Sequence, residues 1–156
     1  MRLSSLFAVF ALVLGAPLSH AADKPTPDEV KKVMTYFKEG KGQGPVLLEF
    51  TPCLKIGKKD GEKRKSCVEP AGESIAKKTV VNVWTRWFVP KDDKYDDVEV
   101  VFIHEGKIRA TKDMKVKTGY AYGTWTAKTL FKPGNWEIKI QHKDQTLGTA
   151  KITVSE

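Results

Sequence analysis

The chain predicts an all-β domain, a sandwich or barrel of antiparallel strands approached through one short helix. Three observations carry that reading. From Pro45 onward, segments rich in Val, Ile, Thr and aromatic residues are separated by clusters of Gly, Pro, Asp and Lys at the intervals of an all-β domain. Within those segments apolar and polar residues alternate, as Trp136, Ile138 and Ile140 do against Glu137, Lys139 and Gln141, so a strand has one dry and one wet face. Ahead of them a single stretch carries a helical period.

The first residues, "MRLSSLFAVFALVLGAPLSHAA", place Arg2 before an apolar run from Leu6 to Leu14 and end on small residues. This is the pattern of a secretory leader, and the run is shorter than the ~20 residues of a membrane span. We expect three parts: a leader over 1–22, a helix with a Gly-rich connector over 23–45, and a sandwich over 46–156. Cleavage removes 22 of the 156 residues and leaves 134, enough for one domain with its own core. The formal charge of +8 loses only Arg2 with the leader, which favours anionic partners. Export points to the Gram-negative periplasm or beyond it. Nucleic acid is then no natural ligand, and no later segment is apolar enough to form a transmembrane span.

The helix begins at "TPDEVKKVMTYFK". Thr26 stands as N-cap, Pro27 in the first turn and Glu29 as the capping-box acid. Val30, Val33, Met34 and Phe37 follow at i, i+3, i+4 and i+7, an apolar stripe expected to dock on the domain. Gly40, Gly42 and Gly44 end it. Strands are expected near 46–56, 63–69, 78–89, 97–104, 107–116, 120–130, 135–142 and 146–154. Turns are expected at "EGK" (105–107), "KPGN" (132–135) and "HKDQ" (142–145).

"CLKIGKKDGEKRKSC" holds both cysteines of the chain, Cys53 and Cys67. A three-residue loop at Lys59-Asp60-Gly61 sets Lys58 opposite Glu62, and unbroken antiparallel register then sets Cys53 opposite Cys67. At such a non-hydrogen-bonded position the Cα atoms lie roughly 4.5 Å apart, within disulfide reach. In an oxidising compartment the pair is expected to be bonded and structural, which leaves no thiol for metal or redox work. Lys55, Lys58, Lys59, Lys63, Arg64 and Lys65 make this finger cationic. They allow contact with an anionic envelope polymer, but a solvated hairpin whose lysines deter edge-to-edge aggregation is the simpler reading.

Three further groupings matter. Asp92, Asp93, Asp96, Asp97 and Glu99 crowd one segment without the alternating acids and glycine of an EF-hand loop, so a solvated acidic turn is expected rather than a calcium site. Trp84, Tyr120 and Tyr122 offer an aromatic platform for sugar if they lie exposed, whereas core packing is the default for aromatic residues. Alternation sends Trp84 and Trp87 to opposite faces and keeps Tyr120 and Tyr122 on one. His104 and His142 stand in no recognisable catalytic motif, and His104 is expected at a strand end or the surface. "GKGQG" lacks the lysine-hydroxyl ending of a phosphate loop. No enzyme, cofactor or metal is expected.

The segments "VVNVWTRWFVP", "VFIHEGKIRATKDMKV" and "YGTWTAKTLFKPGNWEIKIQHKDQTLGTAKITV" resemble a family of bacterial envelope domains of unknown function. The likeness lies in a tryptophan strand, a tyrosine–tryptophan strand, a Pro-Gly-x-Trp turn and a terminal hairpin, over about half of the expected mature chain. It implies an immunoglobulin-like sandwich. The family pattern carries Arg ahead of the "TW", where this chain has Gly123. The helix and the cysteine hairpin lie outside the resemblance. Taken together, these features point to an exported, non-catalytic binding or accessory protein that contacts an envelope protein or an anionic glycan or lipid. The alternative is a carbohydrate-binding module.

Overall fold

The computed structural model of the chain describes residues 24–38, 44–57 and 65–156, and of residues 91, 92 and 121 the backbone alone. The expected leader, residues 39–43 of the connector, and the finger tip with Lys58, Lys59, Lys63 and Arg64 lie outside the described residues.

One helix, α1 (Pro27–Lys38), precedes seven strands: β1 (Val46–Ile56), β2 (Cys67–Pro70), β3 (Ser74–Ala76), β4 (Thr79–His104), β5 (Lys107–Leu130), β6 (Gly134–His142) and β7 (Gln145–Ser155). The capping box closes as its residues dictate. Glu29 N–H donates to the Thr26 hydroxyl at 3.3 Å, and Thr26 N–H donates to Glu29 Oε2 at 2.8 Å.

The expected strands 78–89 and 97–104 are one continuous strand, β4, and 107–116 and 120–130 are one continuous strand, β5. Together they make a long hairpin closed by Glu105 and Gly106, whose φ values of 46° and 73° are those of a type I′ turn. Register shifts between Trp87 and Val98 bend this hairpin, so its two halves lie in different layers. In the first layer β1 lies between β2 and the first half of β4, whose other edge takes the second half of β5. In the second layer the order is β3, β7, β6, the second half of β4, and the first half of β5.

β1, the first half of β4 and the second half of β5 thus pack across one core against β7, β6, the second half of β4 and the first half of β5, the immunoglobulin-like sandwich that the resemblance implies. The inward parity changes with the layer. Val81, Val83, Trp87 and Val89 point inward before the bend, and Val98, Val100 and Phe102 after it. They share one core with Met114, Val116, Leu130, Trp136, Ile138, Ile140, Ile152 and Val154. The Thr85 hydroxyl, 3.2 Å from the Met114 sulfur, marks the contact between layers.

Cys53 and Cys67 form a disulfide, with Cα atoms 5.8 Å apart. The register around it differs from the expected one. Cys53 faces Pro70, Lys55 faces Glu69, and Ile56 faces Cys67, with irregularities between these pairs. The shift continues at the end of the described stem, where Gly57 N–H donates to Ser66 O at 2.9 Å and Lys65, at a φ of 60°, donates to Gly57 O at 2.8 Å. The stem also folds back on the sheet. Cys53, Ile56, Cys67 and Trp84 form a second, smaller core on the outer face of the first layer.

Candidate functional site

Strand parity builds the outer face of the first layer from Trp84, Arg86 and Phe88 of β4, because Val83, Thr85 and Trp87 point the other way. Two pieces of chain cover it: the disulfide hairpin over Trp84, and α1 over Arg86 and Phe88.

α1 does not dock by the stripe its sequence advertises. Val30 is 46% exposed, Met34 64% and Phe37 59%, whereas Glu29, one residue off the stripe, is only 4% exposed. The Arg86 guanidinium turns the helix: it pairs with Glu29 and also lies 3.0 Å from Glu49 of β1. The Tyr120 hydroxyl donates to Glu29 Oε2 at 3.2 Å, and Lys32 donates to Leu48 O at 2.7 Å. Taking the buried Glu29 carboxylate away from the half-buried Arg86 guanidinium, which would keep only Glu49, costs about as much as burying one or two apolar side chains. The ion pair therefore sets the rotation of the helix: Val30, Met34 and Phe37 face out, and Val33, the fourth residue of the stripe, is half-buried.

Burial alone pushes the Glu29 carboxyl up. The Thr26 amide, Arg86, the Tyr120 hydroxyl and the Thr26 hydroxyl outweigh it and hold the group below the ordinary glutamate range. Tyr120 is held above the ordinary tyrosine range by burial and by the Glu29 carboxylate beside it.

Beside the stripe, aromatic rings run from the helix onto the sheet. Phe37 meets Phe88 edge-on at 6.0 Å, and Phe88 meets Tyr120 at 6.5 Å. Val30, Met34, Phe37 and the half-exposed Tyr120 thus border one apolar surface. The exposed Lys31 and Lys38 follow the stripe round the solvent side of the helix.

On its other side α1 borders a groove of about 1280 Å³, shared with the start of β1 and the β6–β7 turn. His142 lies in its wall. This residue continues the inward parity of Trp136, Ile138 and Ile140, and it is buried. Its Nε2 is 3.2 Å from Asp97 Oδ1, poorly aligned for a hydrogen bond, and its ring meets Tyr95 edge-on at 5.4 Å. Burial, together with Tyr36, Asp93 and Asp97, pushes the Tyr95 hydroxyl up to about 12. An imidazole and a half-exposed carboxylate meet here, with the Tyr95 ring packed against the imidazole. His104 closes β4 at the strand end as expected, yet it is buried. Its Nε2 lies 2.8 Å from Pro133 O and its ring stacks at a tilt on Trp136.

The residues singled out by sequence fall apart spatially. Trp84 is 6% exposed under the hairpin, with its indole N–H donated to Lys65 O at 2.8 Å. Tyr122 faces Trp87 and packs on the main core. Tyr120 lies on the opposite face, because an irregularity between Trp87 and Val89 shifts the pairing and reverses the parity. The three rings therefore make no common platform. Trp84 and Trp87 do take opposite faces.

Lys55 and Lys65, the two finger cations within the described residues, are exposed on a stem that lies against the sheet rather than standing off it. Asn82 fastens this stem by donating hydrogen bonds from its side-chain amide Nδ2 to Cys53 O and Leu54 O at 3.3 and 3.2 Å. Gly123 lies directly beneath: a Cβ there would come within 3.1 Å of Lys65 O. Gly123 therefore stands where the hairpin stem needs room. The acidic segment is strand rather than turn, and its acids diverge: Asp97 turns to His142, while Glu99 sits opposite Asp113 and Gln141. Among the described residues no three acids, histidines or cysteines converge on one point.

Sequence reasoning missed Glu29 and Arg86. The available signal was Arg86 itself, a lone cation in "VVNVWTRWFV" on the face opposite the core.

No family model and no curated protein matches the chain. Among solved structures it is similar to an immunoglobulin-like protein from Pseudomonas aeruginosa, at 8% identity and a TM-score of 0.45, over 73% of this chain and 98% of that one. A CARDB domain from Pyrococcus furiosus is similar at 8% identity and a TM-score of 0.34, over 53% and 86%. An alkylpurine DNA glycosylase from Pseudomonas fluorescens, bound to DNA containing an abasic site analog, is similar at 11% identity and a TM-score of 0.45, over 83% of this chain and only 35% of the glycosylase.

Proposed function

We propose that this protein is an exported, non-catalytic accessory domain of the bacterial envelope, working in the periplasm, that docks onto another envelope component through the outward face of α1. One observation carries the reading: α1 is held by its charged face and turns Val30, Met34 and Phe37 to solvent. A surface helix ordinarily does the reverse. Exposed methionine and aromatic residues on a rigid support are the usual makings of an interface core. The leader pattern and the Cys53–Cys67 bridge support export, since such bridges persist in oxidising compartments. Both histidines are engaged in packing and strand-end contacts, which supports a binding role over a catalytic one.

The test is site-specific photo-crosslinking in intact cells. A benzophenone side chain at Phe37 is expected to give covalent adducts, whether to protein or lipid. The same group at Lys151, on the outer face of the second layer, is expected to give none. Absence of adducts at position 37, or equal adducts at both positions, would refute the reading.

A further inference from the structure

We propose that the component met by α1 is the surface of an anionic phospholipid bilayer, on which the helix lies flat with Val30, Met34 and Phe37 in the acyl boundary. The inference rests on the docking role given to α1 above and adds the chemistry of the partner. Three features of the helix match a lipid interface.

The first is the stripe, which lies along one line about 10 Å long and is continued by the half-exposed ring of Tyr120. A tyrosine of this kind, apolar in the ring and polar at the tip, suits the headgroup boundary. The second is the distribution of charge. Glu29 is turned inward onto Arg86, and Glu49 sits against the same guanidinium, which offsets one of the two acidic charges. Lys31 and Lys38 remain exposed next to the stripe, and Lys24 precedes the helix in the exposed N-terminal segment. Asp28 falls about 160° round the helix from Val30, away from the stripe. Apolar side chains flanked by lysines are how interfacial helices meet anionic leaflets, each lysine adding to the attraction. The third is support: the helix is pinned to a rigid sandwich, so little order need be gained on binding. The formal charge of +8, less Arg2 once the leader is removed, adds long-range attraction of the same sign.

The experiment is co-sedimentation of the mature chain with vesicles of phosphatidylglycerol mixed with phosphatidylcholine, and with vesicles of phosphatidylcholine alone. Binding to the mixed vesicles is expected to be about tenfold stronger or more, and to weaken as salt is raised. Met34→Glu with Phe37→Glu is expected to weaken it by about tenfold or more, and Lys31→Gln with Lys38→Gln to weaken it less. All four side chains are exposed, and near-ultraviolet circular dichroism verifies that the variants stay folded.

Equal binding to both vesicles would overturn the anionic chemistry, and binding that survives Met34→Glu with Phe37→Glu would overturn the site. Binding to neither vesicle would overturn the lipid proposal. Should protein adducts then still form at position 37, the docking role of α1 stands with a protein as its partner. Should none form, both proposals fall.

Discussion

Replacing Glu29 with Gln keeps its size and removes the charge that holds α1 to the sandwich. In the wild type the carboxylate pairs with Arg86, accepts from Thr26 N–H at 2.8 Å and accepts from Tyr120 at 3.2 Å. Removing one partner of a buried ion pair costs about 3–5 kcal/mol. Arg86 keeps Glu49 at 3.0 Å, a more exposed contact worth about 1 kcal/mol or less, so a net loss of about 2–4 kcal/mol is expected. The helix can lift off without unfolding the strands, so that loss falls on the docking of α1 and not on the core. Amide exchange of residues 27–38, followed by mass spectrometry, should quicken by roughly 30-fold to 1000-fold, at 1.4 kcal/mol per factor of ten. Peptides covering Trp136 to Ile140 should be unchanged.

Acid should act in the same way. The folded carboxyl titrates below the ordinary glutamate range, so its support for docking is complete above that range and is lost as pH falls through the lowered value. In Glu29→Gln that acid-dependent loss should vanish. Unchanged exchange of α1 in the variant, or an equal rise in β6, would refute the reasoning.

Two further outcomes follow from the outer face. Gly123→Arg should push the hairpin stem off Trp84 at a cost of about 1–3 kcal/mol, seen as red-shifted tryptophan fluorescence and a lower melting temperature. An unshifted spectrum and unchanged melting would contradict the packing described. Cys53→Ala with Cys67→Ala should lower stability to urea by about 3 kcal/mol, and a reducing agent should do the same to the wild type but nothing to the variant.

What the sequence disclosed and what it hid divide along a physical line. Local chemistry was legible: the Thr26–Glu29 cap, the turn at Glu105–Gly106, the alternation of β6 and the pairing of the cysteines. So was the departure at Gly123, though its reason appeared only when Lys65 O was seen above it. Hidden were features decided by contacts distant in sequence. The stripe of α1 obeys the rule for a docking helix, but Arg86, 57 residues after Glu29, overrides it. One irregularity in β5 sends Tyr120 and Tyr122 to opposite faces, and alternation has no means of announcing it. The breaks expected near 90–96 and 117–119 were real signals of another event, the bend that carries the long hairpin between layers. The burial of His104 and His142 was not expected, although each continues the inward parity of its own strand.

The outward turn of α1 is most directly measured by methionine oxidation. The described residues hold two methionines, Met34 at 64% exposure and Met114 at 2%. Under dilute peroxide, with sulfoxide followed at each site by mass spectrometry, Met34 should oxidise at least about tenfold faster than Met114. Equal, slow oxidation of the two would mean that the stripe is buried against the sheet, and the account of how this helix is held would be wrong.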